Sequence, residues 1–140
     1  MRSILFTLLG LFALTAVADP RQPVELPAKM REHTLANMHD YLTTLAEIQS
    51  ALGAGKSEQA ADVAEQRIGM SSLERHGASH MAPYMPMAMP EIGTNMHRTA
   101  SRFARTAQEV ALAKEPARAI GALAEVTQQC VACHASFRLK

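Results

Sequence analysis

Apolar side chains recur at Leu35, Met38, Leu42, Leu45, Ile48 and Leu52, steps of three and four that lay a single seam along a helix. A proline-containing stretch ending at Pro27 precedes that helix, and Gly53-Ala54-Gly55 stops it. Ser57, followed by Glu58, Gln59 and Ala60, has the character of a cap and predicts a second, alanine-rich helix running toward Leu73. Helical spacing returns at Ile92, Met96, Ala100, Phe103, Ala107 and Val110. Lys114-Glu115-Pro116 closes this third helix, because proline restricts the residue before it.

A fourth helix is predicted from near Pro116, with Ile120, Leu123, Thr127, Cys130, His134 and Phe137 turned inward. Between the second and third helices, His76 to Pro90 holds Pro83, Pro86 and Pro90, which deny that stretch a regular helix and predict a long structured loop. No run of alternating apolar and polar residues is long enough to argue for a sheet. The expected fold class is therefore all-α, an antiparallel four-helix bundle.

The N-terminus changes this picture. Met1-Arg2-Ser3 is a short positive start, Ile4 to Val17 is apolar, and Ala16-Val17-Ala18 is a small-residue cleavage signal before Asp19-Pro20. This pattern predicts a secretory signal peptide over residues 1–18 and one domain over 19–140. The apolar run falls short of the roughly 20 residues that span a bilayer, so no stable membrane anchor is expected and the mature chain is assigned to the periplasm. Lys+Arg number 14 and Asp+Glu 13, and loss of the leader with Arg2 leaves the mature chain close to neutral. That balance argues against a nucleic-acid partner.

Cys130-Val131-Ala132-Cys133-His134 carries the chemistry, as the pentapeptide that attaches haem c in exported chains. On a helix, residues three apart share a face, so both sulfurs can bond the vinyl groups of one porphyrin while His134 is held against the iron as an axial ligand. The competing readings are a disulfide, which leaves His134 unexplained, and a zinc site completed by His76, His80 or His97. A thioredoxin-like pair is disfavoured, because that motif opens a helix in a β/α fold.

With Phe137 and Arg138 added, the C-terminus resembles that of the cytochrome c prime family, whose last helix ends in Cys-x-x-Cys-His-x-x-aromatic-Arg; Phe137 stands where tyrosine is common. The resemblance implies one covalent haem on Cys130 and Cys133, His134 as proximal ligand, Arg138 near the exposed side of the haem, and redox partner proteins. The family also forms dimers through its first helix, which makes a homodimer an expectation of the resemblance.

Members of that family differ in what the first helix presents to the other face of the iron. Met38 lies on the seam and is the preferred sixth ligand, giving a one-electron carrier, whereas Met30 falls off the stripe. Alternatively Leu35, four residues after Arg31, covers a five-coordinate iron that takes up small gases such as nitric oxide or carbon monoxide. His33 and His39 fall toward the outer side of the first helix and are read as solvated. No acid or base on the inner seams fits a catalytic role, so the chain is not expected to be an enzyme.

The loop from His76 to Pro90 is the departure from the family pattern. Met81, Met85, Met87 and Met89 with His76 and His80 suit copper(I) in an exported protein. The plainer reading is that the flexible methionines fill irregular space beside the prolines.

Overall fold

The computed structural model describes residues 18–113 and 115–140, except for the side chain of Ala78. Residues 1–17 of the expected leader and the helix stop at Lys114 lie outside the described residues. The described chain is mostly helical. Its elements run β1 (Gln22–Val24), α1 (Ala28–Gly53), α2 (Ser57–Arg67), α3 (Ala78–Met81), α4 (Ala88–Ala113), α5 (Pro116–Ser136) and β2 (Phe137–Leu139).

α1 begins directly after Pro27, whose carbonyl accepts from the amides of Met30 and Arg31, each at 2.9 Å. Its seam is rotated from the expected one. The buried residues are Thr34, Thr44, Ile48 and Ala51, while Leu42 is 69% exposed. Thr34 and Thr44 enter the interior by donating their hydroxyls to the carbonyls four residues back, of Met30 and Asp40, which removes the cost of burying them. Gly55 turns the chain into α2 with φ of 72°, a left-handed backbone that glycine adopts without steric cost.

α2 offers Ala60, Ala61 and Ala64, all fully buried, and such short side chains let α1 and α4 approach closely on either side. Ser57 is its first helical residue and makes no side-chain cap, and the helix stops at Arg67 instead of reaching toward Leu73. The amides of Ile68 and Gly69 both donate to the Ala64 carbonyl as the chain turns away. Arg67 then ties this end to α1, reaching Glu47 at 2.8 Å and also Asp40.

His76 to Pro90 is not an irregular loop. Short helical turns occupy Glu74–His76, Ala78–Met81 and Ala82–Tyr84, and α4 starts at Ala88, two residues before Pro90. Proline is tolerated there because an amide in the first helical turn has no partner to lose. α4 then buries Met96, Ala100, Phe103, Ala107 and Val110 as the spacing predicts, adding Met89, His97, Thr99 and Ala104.

α5 packs on α4 through Ala119, Leu123 and Val126, with Ile120, expected inside, 61% exposed. The helix ends at Ser136. Phe137 is extended, with φ −128° and ψ 151°, and opens β2. β2 pairs in parallel with β1 in the register Gln22↔Phe137, Pro23↔Arg138 and Val24↔Leu139. This small sheet, absent from the sequence expectation, gathers Val24, Met89 and Phe137 into a second apolar cluster beyond the main core.

The packing runs from α1 to α2, from α2 to α4, and from α4 to α5. Among the described residues no comparable packing joins α5 back to α1. That open seam is where the candidate site lies.

Candidate functional site

An open cleft of about 200 Å³ separates α1 from the end of α5. Leu35 and Met38 form its α1 wall, and Cys133 and His134 face them from α5. β2 adds Phe137, Arg138 and Leu139, the first turn of α4 adds Met89, and Arg21 reaches in from the residue before β1. Five of the six site residues expected from the sequence therefore line one cleft. The sixth, Cys130, sits one helical turn behind Cys133, half-buried against the main core, which Tyr41 of α1 also packs against.

Both cysteines are free thiols. Burial pushes each thiol above its ordinary range, and the neighbouring Cys130 adds to the effect on Cys133. Neither resembles an activated nucleophile, which needs a lowered pKa in an electropositive setting. His134 is exposed in the last turn of α5, and its carbonyl accepts from Arg21 Nη1 at 3.4 Å. Among the described residues no three His, Cys, Asp or Glu side chains converge as metal ligands, so the zinc reading with His76, His80 or His97 finds no support.

The rim of the cleft is charged. Asp19 accepts from Arg21 Nε at 3.0 Å and Nη2 at 2.7 Å, and its Oδ2 lies 3.5 Å from Arg138 Nε. The Arg21 hydrogen bonds hold the Asp19 carboxyl down at about 2. Arg138 Nε itself is buried and makes no hydrogen bond among the described residues.

Sequence reasoning missed Met89, Leu139 and Arg21. Met89 was detectable, since Met85, Met89, Ile92 and Met96 keep steps of four, three and four through Pro90. Nothing in the pattern marked Arg21, which reaches the cleft only through the β1–β2 pairing. Of the methionines of the expected copper set, Met81 and Met89 are buried, the latter in the cleft, Met85 packs against the same apolar cluster as Met89, and Met87 is 94% exposed.

The histidines form a separate cluster. His76 and His97 stack with ring centroids 5.4 Å apart, and Tyr41 meets His76 edge-on at 4.8 Å. His33, expected to be solvated, is half-buried, with Nε2 3.0 Å from the His76 carbonyl, and Asn37 Nδ2 donates to the same oxygen at 3.1 Å. These bonds tie the 74–76 turn to the stretch of α1 that carries Leu35 and Met38. Gly77 permits the approach, since a Cβ there would stand 3.0 Å from His33 Nε2 on a backbone with φ of 71°.

Burial first, and then the neighbouring charge of His97, push His76 from its ordinary 6.5 down to about 4, and burial lowers His97 in the same direction. The folded chain therefore resists protons that the unfolded chain accepts. The contribution of His76 to stability is complete above about pH 6.5 and is lost as pH falls toward about 4. Thermal unfolding followed across that window is expected to show a falling midpoint, and His76→Phe, which keeps a ring and cannot titrate, is expected to flatten the fall.

Comparison of the chain with protein-family models, curated proteins and solved structures found no match.

Proposed function

We propose that this chain is an exported c-type cytochrome of the cytochrome c prime kind, an antiparallel four-helix bundle bearing one covalent haem c and carrying single electrons between redox partner proteins in the periplasm. The observation that carries this reading is the convergence of Cys133, His134, Met38, Leu35 and Arg138 on one cleft, with Cys130 a turn away on α5.

The residues present fit a haem on three counts. Two unbridged thiols stand three positions apart on one helix. The α1–α5 seam stays open, and Leu35 on its α1 wall is left 42% exposed. Arg138 presents a buried Nε that makes no hydrogen bond among the described residues and only a long ion pair to Asp19. The cleft alone is smaller than the usual 300–1,000 Å³ of a ligand site. A large planar group would extend beyond it along the seam.

Cys130 and Cys133 would hold the group through thioethers, and His134 would offer its imidazole to the iron from the same helix. Met38 would bring a thioether from the facing wall, while Leu35 and Phe137 keep water from the iron side of the cleft. When bound, the group supplies one-electron iron chemistry, with His/Met ligation raising the potential.

Leu35 shares the α1 wall with Met38, and this specifically favours a second reading in which the iron stays five-coordinate and binds nitric oxide or carbon monoxide. Absorption spectra of the oxidised holoprotein separate the two. The electron-carrier reading predicts a low-spin spectrum with a long-wavelength Met-to-iron band, lost in Met38→Ala with conversion to high spin. A high-spin spectrum untouched by the substitution means an open site and the gas-binding reading.

A further inference from the structure

The charged rim of the cleft is built in a way that electron transfer alone does not require. Two arginines from opposite ends of the chain meet there, Arg21 just ahead of β1 and Arg138 in the middle of β2, brought together by the pairing of Pro23 with Arg138. Between them sits one carboxylate, that of Asp19. Arg21 grips it through Nε, Nη2 and its own backbone amide, at 3.0, 2.7 and 3.1 Å. Arg138 approaches to 3.5 Å but leaves its buried Nε without a hydrogen bond among the described residues. A guanidinium is a planar fork matched to a carboxylate, and a desolvated donor without a partner is costly. The fork is thus complete on the Arg21 side and incomplete on the Arg138 side, with an internal carboxylate reaching across.

A haem carries two carboxylates of its own on one edge. We infer that Arg21 and Arg138 form a clasp for one haem propionate at the mouth of the cleft, and that Asp19 is a built-in competitor for the same arginines. The inference rests on the haem reading above. It gives the N-terminal arm a role: the arm carries one half of the clasp, β1 pins that half beside β2, and Asp19 sets how much of Arg21's positive charge the haem feels. Arg21 acts as a positioning and charge-setting residue, with the thioethers providing the attachment.

The test is the midpoint potential of the haem-loaded mature chain, measured by spectroelectrochemistry after a haemochrome assay has established covalent loading. Positive charge beside the haem favours the reduced state, so Arg21→Ala is expected to lower the potential, by an amount that shrinks as salt is raised. Arg21→Lys, which keeps the charge and loses the fork, is expected to fall between the two. Asp19→Asn frees the clasp and is expected to raise the potential, an opposite sign that general loosening of the arm does not produce. Lys56→Ala, in the turn between α1 and α2, should leave it unchanged. Potentials unmoved in both Arg21→Ala and Asp19→Asn, or moved in the same direction, overturn the clasp while leaving the haem reading standing. That result would also follow if the arginines served the acidic surface of a partner protein. A wild-type chain without covalent haem overturns both.

Discussion

A chain carrying Cys130→Ser and Cys133→Ser together, produced alongside a haem-attachment system, is expected to hold no covalent haem at all. Each single variant can keep at most one thioether. The expectation follows from α5 carrying both of the chain's cysteines, with Cys133 and His134 lining the cleft and Cys130 one turn behind. The double variant should still fold. Its serines replace half-buried thiols at the edge of the core, and the main contacts of α5, through Ala119, Leu123 and Val126, are untouched. Loss of haem with retained helicity in circular dichroism separates a failure of attachment from a failure of folding. Covalent haem on the double variant would contradict the assignment.

The largest effect on stability is expected from Phe103→Ala. Phe103 is fully buried at the centre of α4, within the cluster that joins α1, α2, α4 and α5. The main core is otherwise built mostly of alanine, valine and isoleucine, and small neighbours have little reach with which to fill the void. Truncation should cost about 3–5 kcal/mol, a large share of the about 5–15 kcal/mol by which domains are usually stable. Urea unfolding would show it as a lowered midpoint with an unchanged slope. Leu112→Ala on the same helix, 87% exposed, should stay within about 0.5 kcal/mol of wild type.

The helices were legible in the sequence because each buries a stripe, and a stripe leaves a period. What the period does not say is what the stripe faces. On α4 it faces the core, and Met96, Ala100, Phe103, Ala107 and Val110 are all buried. On α1 and α5 apolar residues serve two faces, one toward the core and one toward the cleft. Leu35, Leu42 and Ile120 were assigned inward on spacing alone and proved exposed, while Thr34, Thr44 and Ala119 took the interior. Threonine enters through a hydroxyl bond to its own helix and alanine through its small size, and neither has an apolar signature strong enough to mark a seam.

The site was legible to a different degree at each residue. Cys130, Cys133 and His134 stand in a local motif whose chemistry needs no fold to be read. Met38 and Leu35 reach the same cleft because α1 is one unbroken helix, which spacing also predicts. Met89 was obscured by Pro90, a residue that breaks helices in their interior and starts them at their first turn. The β1–β2 pair joins three-residue segments over a hundred positions apart, too short for alternation to register. With it went Arg21 and its pairing with Asp19 beside Arg138, which depend on where the chain ends meet.

Covalent haem on Cys130 and Cys133 is read from the intact mass of the purified mature chain, produced with a haem-attachment system. A species heavier by one haem that survives acid extraction is expected, with the haem on the peptide containing Cys130 and Cys133. A chain of polypeptide mass alone, with both thiols open to alkylation, would contradict it.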